Sequence, residues 1–278
     1  MVTLSYVAID RIKVSTYTVP TDFPESDGTL QWNSTTLVLV HGYAGNKVSL
    51  GYAYADTATA ILLRDTLSKT VEGQNAMAPT ASWNAMVAGT RNLGRPGIVS
   101  MAISAVDIAL WDLKARLLNL PLLTLLGAVR ESVPIYASGG FTSYSEKQLQ
   151  NQLAGWVERG IPRVKMKIGR DAKADVGRVA AARAAIGANT ELFVDANGGY
   201  SRKQALVQAE KFAELNVTWF EEPVSSDDLA GLRLLRDQSP AGVEIAAGEY
   251  GYQPGYFRRM LAAGALLVVS SCGILVQL

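Results

Sequence analysis

"VKMKIGR", residues 164–170, begins as an apolar strand and then places two lysines where further apolar residues would be expected. Side chains alternate between the two faces of a strand, so Lys165 and Lys167 share one face and Met166 takes the other. Two ammonium groups side by side repel unless negative charge faces them. The text on either side repeats the same grammar. Strand-like segments read "VPIYASGG" (133–140), "RVKMKIG" (163–169), "ELFVDANGG" (191–199), "VTWFEEPV" (217–224), "VEIAAGE" (243–249) and "LLVVSS" (266–271). Between them the spacing predicts helices over 145–159, 171–187, 201–214, near 226–237 and near 254–263. Strand–helix alternation of this kind builds βαβ units and a parallel sheet. Six strands are legible, whereas a closed (β/α) barrel takes about eight.

The polar residues ending these strands fall in step. Lys167 to Asp195 is 28 residues, Asp195 to Glu221 is 26, and Glu221 to Glu249 is 28. Each therefore occupies the C-terminal end of its own βα unit, and in a parallel barrel those ends share one rim. Taken singly, Asp195 reads equally well as a turn former, and Glu221, Glu222 and Glu249 as solvated loop or strand-end charges. Their common phase joins them. Three carboxylates on one rim repel one another unless a divalent cation lies between them. Such a cluster, with its anionic ligand, is what Lys165 and Lys167 would face.

Composition narrows the ion. The chain has 278 residues with a single histidine, His41, and a single cysteine, Cys272. A multi-histidine or all-cysteine metal centre is excluded, and oxygen ligands suit Mg²⁺ or Mn²⁺. Lys+Arg 26 against Asp+Glu 25 leaves a net charge of +1, which gives no basic face for nucleic acid. Asp10 and Arg11 interrupt any signal-peptide core, so a cytoplasmic protein is expected. The uncharged run from Met260 to Leu278 reaches the length of a membrane span, but Gly264, Ser270, Ser271 and Gly273 break it, and a helix end followed by a buried strand is expected instead.

Upstream of residue 130 the pattern differs. "YVAIDRIKVSTYTV" (6–19) and "STTLVLVHGYAG" (34–45) read as strands joined by a polar loop, "PTDFPESDGTLQWN" (20–33). Helical text follows over 55–73, 79–94, 97–119 and 121–127. The fold class is α/β: an N-terminal α+β capping domain over 1–130, then an incomplete TIM-like (β/α) barrel domain over 131–278.

These residues resemble the enolase superfamily, and within it the mandelate racemase/muconate-lactonising group. The resemblance rests on "GRPGIVSMAISAVDIALWDLKARLLNLPLLTLLG" (94–127), "KMK" (165–167), "VDANGGY" (194–200), "WFEEP" (219–223) and "AAGE" (246–249), and it runs from about residue 1 to 265. It implies Mg²⁺ held by Asp195, Glu221 and Glu249, with Lys167 as general base and Lys165 as its helper. It further implies a homo-oligomer acting on a small carboxylate, a sugar acid, with no membrane or nucleic acid involved. Asn197 and, from the cap, Phe23, Trp32, Tyr52 and Tyr54 are the expected substrate contacts; "VSLGYAYAD" (48–56) is expected as a second loop over the rim. The activity implied is acid-sugar (aldonate- or aldarate-type) dehydration, with racemisation or epimerisation and cycloisomerisation as alternatives. The chemistry follows from elementary considerations: a proton next to a carboxylate is hard to remove because its departure adds charge to an existing anion, and a divalent ion offsets that charge. A lysine accepts a proton only when neutral, and the Lys165 ammonium favours that form of Lys167.

The sequence also departs from the group. Its members carry a late histidine–aspartate pair and a further acid; here His41 lies in the cap, and Ser270 and Ser271 stand where an acid is expected. Two strands have no counterpart. A C-terminally truncated chain is therefore expected, and with it an alternative in which the chain is a non-catalytic remnant, poorly stable because its sheet has open edges.

Overall fold

Alternating polar and β-branched residues carry the N-terminal text into a long hairpin in the computed structural model, which describes residues 6–265 and 268–269. Its arms are β1 (Arg11–Ser26) and β2 (Gln31–Ala44). The stretch 20–33, expected as a loop, instead continues both strands to a tight reversal. There the Asp27 N–H donates to Leu30 O at 3.1 Å, and the Asp27 carboxylate accepts from the N–H groups of Thr29 and Leu30 at 2.6 Å each. Asp-Gly between two strands is a strong turn signal, and "SDGT" carries it.

The chain divides into two compact units: Met1–Pro20 with Ser34–Ser132, and Thr21–Asn33 with Val133–Leu278. The second unit thus holds the hairpin tip as well as everything after Ser132.

In the first unit β2 also pairs with β3 (Lys47–Val48) and, antiparallel, with β4 (Gly51–Tyr54), matching Leu37 to Tyr54. Residues 51–54, expected within a loop over the rim, are therefore a sheet strand, because main-chain pairing with β2 satisfies their backbone. Helices follow: α1 (Thr57–Leu62), a π turn (Leu63–Leu67), α2 (Ser68–Val71), α3 (Pro79–Gly89), α4 (Ile98–Leu117) and α5 (Leu122–Leu126). The Asp56 carboxylate caps α1 by accepting from Ala58 N at 2.8 Å. The core gathers on α4, where Ala102, Ala105, Val106, Ala109, Leu110 and Leu113 are fully buried. Small residues let β4 lie directly on this helix: a Cβ at Gly51 would come 2.1 Å from Ala105 O. Among the described residues, no helix is long and apolar enough to cross a membrane.

One charge sits awkwardly in α4. Burial raises the Asp107 carboxyl from 3.8 to about 6. Between those values the folded chain holds a proton that the unfolded chain releases, so this contribution is intact below 3.8 and is lost as pH rises through about 6. Asp107→Asn should therefore raise stability at pH 8 by on the order of 1 kcal/mol after allowance for solvent screening, and change little at pH 4. Urea melts at the two pH values check this; an equal gain at both would refute the assignment.

The second unit alternates strand and helix: β5 (Ala137–Gly139), α6 (Glu146–Glu158), β6 (Arg163–Lys167), α7 (Asp175–Ile186), β7 (Glu191–Asp195), α8 (Arg202–Glu214), β8 (Val217–Glu221), α9 (Leu229–Gln238), β9 (Glu244–Ala247), α10 (Pro254–Ala262) and β10 (Val268–Val269). The described strands form one sheet in the order β10-β9-β8-β7-β6-β5, every adjacent pair parallel. Capping boxes start α6 (Ser145 with Gln148) and α8 (Ser201 with Gln204). The helix α7 begins at Asp175, four residues after the expected start, because the Asp171 side chain takes Lys173 N into a local turn. One face of the sheet is apolar: Val164, Met166, Val194, Phe220 and Ile245 are fully buried in a core with Leu149, Leu153, Phe212, Leu232 and Leu235. Of the expected strand 266–271 only Val268 and Val269 are described; Ser270, Ser271 and Cys272 lie outside the described residues.

Candidate active site

Parallel register sets the polar ends of the strands side by side. Lys167 pairs with Asp195, and Asp195 with Glu221. Period-two alternation puts Lys165, Phe193 and Trp219 one level below them on the same face. Glu249 arrives differently. Glu221 pairs with Ala246, so Glu249 lies three residues past that level, and the chain reaches it through Gly248 at φ 142°. Equal sequence spacing therefore found Glu249, although its position comes from a turn and not from strand phase.

The lysines do face acid. Lys165 Nζ donates to Asp195 Oδ2 at 3.0 Å and to Glu221 Oε2 at 2.6 Å; Lys167 Nζ donates to the same Asp195 oxygen at 2.6 Å. Asp195 Oδ1 is taken by Asn197 N at 3.0 Å, and Asn197 Nδ2 donates to Glu249 Oε1 at 3.0 Å. Asp195, Glu221 and Glu249 each offer a carboxylate oxygen within 4.8 Å of the others. Asp195 and Glu221 are buried and Glu249 is half-buried.

Burial of so many charges requires compensation. Burial by itself opposes charge on Lys165, but Asp195 and Glu221 outweigh it and hold the ammonium well above its ordinary range. Burial likewise opposes charge on Asp195, and the two lysines overcome it, bringing the carboxyl to about 2. Glu249 goes the other way, pushed up by burial and by the charge of Asp195. A buried ion pair of this kind is held because removing either partner strands the other.

Glu222, which sequence reasoning treated only as a rival to Glu221, is the fourth acid here. It is 1% exposed, its Oε1 has no hydrogen-bond partner among the described residues, and its backbone sits at φ 39°. Burial, then Glu249, Asp195 and Glu221, push its carboxyl up to about 9. The doubled "EE" before Pro223 was the available signal. Beside Lys165, one level below Lys167, lies an aromatic cluster: Tyr136 to Phe193 at 5.5 Å, Phe193 to Trp219 at 5.4 Å, and Lys165 Nζ 5.6 Å from the Tyr136 ring centre. Trp219 Nε1 also donates to Glu221 Oε2 at 3.3 Å.

The cap-derived residues separate. Phe23 and Trp32 lie on the hairpin tip in the second unit, edge-on to Tyr144 at 6.2 Å and to Phe141 at 5.6 Å; Trp32 Nε1 also donates to Glu25 Oε2 at 2.7 Å. Tyr52 and Tyr54 stand on β4 of the first unit, packed edge-on at 6.3 Å. The tip is fastened by backbone. Thr142 N donates to Ser26 O at 2.8 Å, and Thr142 Oγ1 to Asp27 O at 2.9 Å. Gly28 lies so close that a Cβ there would fall 2.1 Å from Ala196 O and 2.9 Å from Ile168 O, immediately after Asp195 and Lys167. Since backbone cannot yield, Gly28→Ala should lift the tip and cost about 1–3 kcal/mol. Thermal unfolding of the variant checks this; an unchanged midpoint would mean the tip is free to move.

Two family models match the chain. One, described as mandelate racemase / muconate lactonizing enzyme, N-terminal domain, matches residues 12–127; the other, enolase C-terminal domain-like, matches 148–272. A 3,6-anhydro-alpha-L-galactonate cycloisomerase from Streptomyces coelicolor is 32% identical over 93% of this chain and 73% of its own length. An arabinonate dehydratase from Saccharolobus solfataricus is 30% identical over 86% of this chain, which spans 64% of that protein. Among solved structures, a mandelate racemase/muconate lactonizing enzyme-like protein from Rubrobacter xylanophilus superposes with TM-score 0.92 at 54% identity, covering 94% of this chain and 73% of its own. A racemase from Streptomyces coelicolor, solved with bound magnesium, superposes with TM-score 0.87 at 33% identity over 93% of this chain and 74% of its own.

Proposed function

Because this chain belongs to the mandelate racemase / muconate lactonizing enzyme family of the enolase superfamily, we propose that it removes the proton α to the carboxylate of a sugar acid, with Mg²⁺, and acts as an acid-sugar dehydratase. One observation carries the reading: two lysines, both largely buried, converge on a carboxylate cluster whose oxygens come within 4.8 Å of one another. The capping role falls to residues 1–130 and the barrel role to 131–278.

The donor set fits the ion. Asp195, Glu221 and Glu249 would hold Mg²⁺ through hard oxygens, with neither histidine nor cysteine in the group. Bound there, Mg²⁺ offsets the charge that the substrate carboxylate gains as its α-proton leaves. The remaining steps belong to the protein. Lys165, held as an ammonium, donates to the substrate carboxylate. Lys167, 13% exposed at its side chain and the more open of the two, accepts the α-proton in its neutral form. The electron pair left behind expels the β-hydroxyl, and the proton that Lys167 has just taken up passes to it, so that it leaves as water and Lys167 returns to its neutral form. Asn197, whose buried Oδ1 has no partner among the described residues, would take a hydrogen bond from a substrate hydroxyl. Lys165 itself is 5% exposed, so its contacts lie largely out of water, which strengthens them.

The similarity to a cycloisomerase supports a second reading in which the same proton is removed and the product is an isomer of unchanged mass. Incubation of a sugar-acid panel in deuterated water with Mg²⁺ tests both. Dehydration gives a product lighter by one water, and cycloisomerisation gives an isomer. Mg²⁺ uptake without exchange or product from any acid would leave the non-catalytic reading in possession.

A further inference from the structure

We propose that Asp175 and Tyr200 are positioning residues for Lys167: their hydrogen bond clasps the chain leaving the Lys167 strand to the chain leaving the Asp195 strand, and so holds the base where it meets the α-proton. The inference rests on the proton-removal reading above and adds to it two residues that act through Lys167.

The sheet ladder stops where the chemistry starts. Lys167 and Asp195 are the last matched pair between β6 and β7, and just beyond it Ile168 N donates to Asp195 O at 2.9 Å. Past that point Gly169, at φ 96°, turns the chain away. A residue at the end of a ladder frays unless something else ties it. Asp175, the first residue of α7, supplies the tie. Its Oδ2 accepts from Gly169 N at 3.0 Å and from the Tyr200 hydroxyl at 2.5 Å. Gly169 lies two residues after Lys167, and Tyr200 five after Asp195. One carboxylate oxygen therefore joins the two segments that follow the base and its bonded acid.

The clasp is out of water and fixed on every side. Asp175 is 1% exposed and Tyr200 5%. Burial pushes the Asp175 carboxyl up, and the bonds from Tyr200 and Gly169 are the largest effects opposing it. A hydrogen bond to a carboxylate is strong, and in a buried setting its geometry is firmly held. The Tyr200 ring stands edge-on at 6.1 Å to Phe220, one residue before Glu221, and Tyr200 N donates to Pro223 O at 3.3 Å. Packing leaves no slack at Gly169, where a Cβ would fall 2.8 Å from Ala196 O. The segments after β6, β7 and β8 are thus tied in series through Asp175 and Tyr200.

Deuterium exchange of the acid panel on the full chain, with Mg²⁺ at saturation, tests this. Tyr200→Phe keeps the ring and loses the donor. Its exchange rate at saturating acid should fall about 10–100-fold, the scale of an ångström misplacement, while half-saturation by acid and Mg²⁺ uptake stay within about twofold. Asp175→Asn keeps an oxygen for both donors and should retain most of the rate. Asp175→Ala should lose at least as much as Tyr200→Phe, and adding Tyr200→Phe to it should cost nothing further, because the tie is already gone. An unchanged rate in Tyr200→Phe, losses that multiply in the double variant, or weakened uptake of Mg²⁺ and acid in place of a slower rate overturns the inference and leaves the proposed reaction standing. Should the alanine variant not fold, Tyr200→Phe and Asp175→Asn decide. Amide hydrogen exchange at Gly169, read by NMR without ion or acid, should quicken in Tyr200→Phe; unchanged protection overturns the inference whatever the turnover. Mg²⁺ uptake by the wild type with no α-proton exchange from any acid sinks the proton-removal reading and this inference with it.

Discussion

Lys167→Ala should abolish α-proton exchange, lowering it by at least about 10³-fold, as expected for loss of a positioned base. Mg²⁺ uptake should survive. Among the described residues Lys167 Nζ donates to Asp195 Oδ2 alone, and that oxygen keeps Lys165 as a partner at 3.0 Å. The three acids therefore lose one neighbouring ammonium and retain the other. Deuterium exchange by mass spectrometry reads the first effect and calorimetry the second. Exchange persisting in the variant would move the base elsewhere. Exchange and metal uptake lost together would recast Lys167 as a structural counter-charge.

Asp195→Asn should have the larger physical consequence. Asp195 joins the whole cluster: fully buried, it accepts from both lysines and from Asn197 N. Substitution removes one of three acidic oxygens and half of the charge that holds Lys165 in place. Mg²⁺ affinity should fall by at least about 100-fold, beyond the 10–100-fold seen when only a supporting group is lost. Stability should drop by about 3–5 kcal/mol, the usual cost of leaving buried charge unpaired. Replacing Lys165 with methionine in the same variant should recover part of that stability without restoring the ion. If Asp195→Asn binds Mg²⁺ like the wild type, the ion, where one binds at all, is held elsewhere.

Most of the second unit was legible because its elements obey local rules. The helices α6, α8 and α10 begin and end within a residue of expectation, since Ser145, Ser201 and Pro254 mark their starts chemically. The strand β5 was overread: only Ala137–Gly139 pairs, because an apolar run is necessary but not sufficient for a ladder partner. The hairpin tip was misread in the opposite sense. Its many polar residues looked like a loop, yet they remain strand to the Asp27–Gly28 reversal because the tip has neighbours on its apolar side, at Phe141 and Tyr144. Tyr52 and Tyr54 went to a sheet strand for a comparable reason: β2 offered an unpaired edge.

Strand alternation and helix capping are short-range physics written in neighbouring residues, so the period of the βα units and the polar residues closing them can be read from the chain alone. It also excluded soft-ligand metal chemistry by counting histidine and cysteine. Three facts come from folding instead: Glu222 is buried among the other acids, Glu249 comes in through a turn, and Gly28 wedges the tip against the backbone beside Lys167 and Asp195. Those facts depend on contacts between residues up to 168 positions apart, from Gly28 to Ala196. No local pattern encodes such a contact, since it exists only once the parallel register and the packing of the core have set the distances.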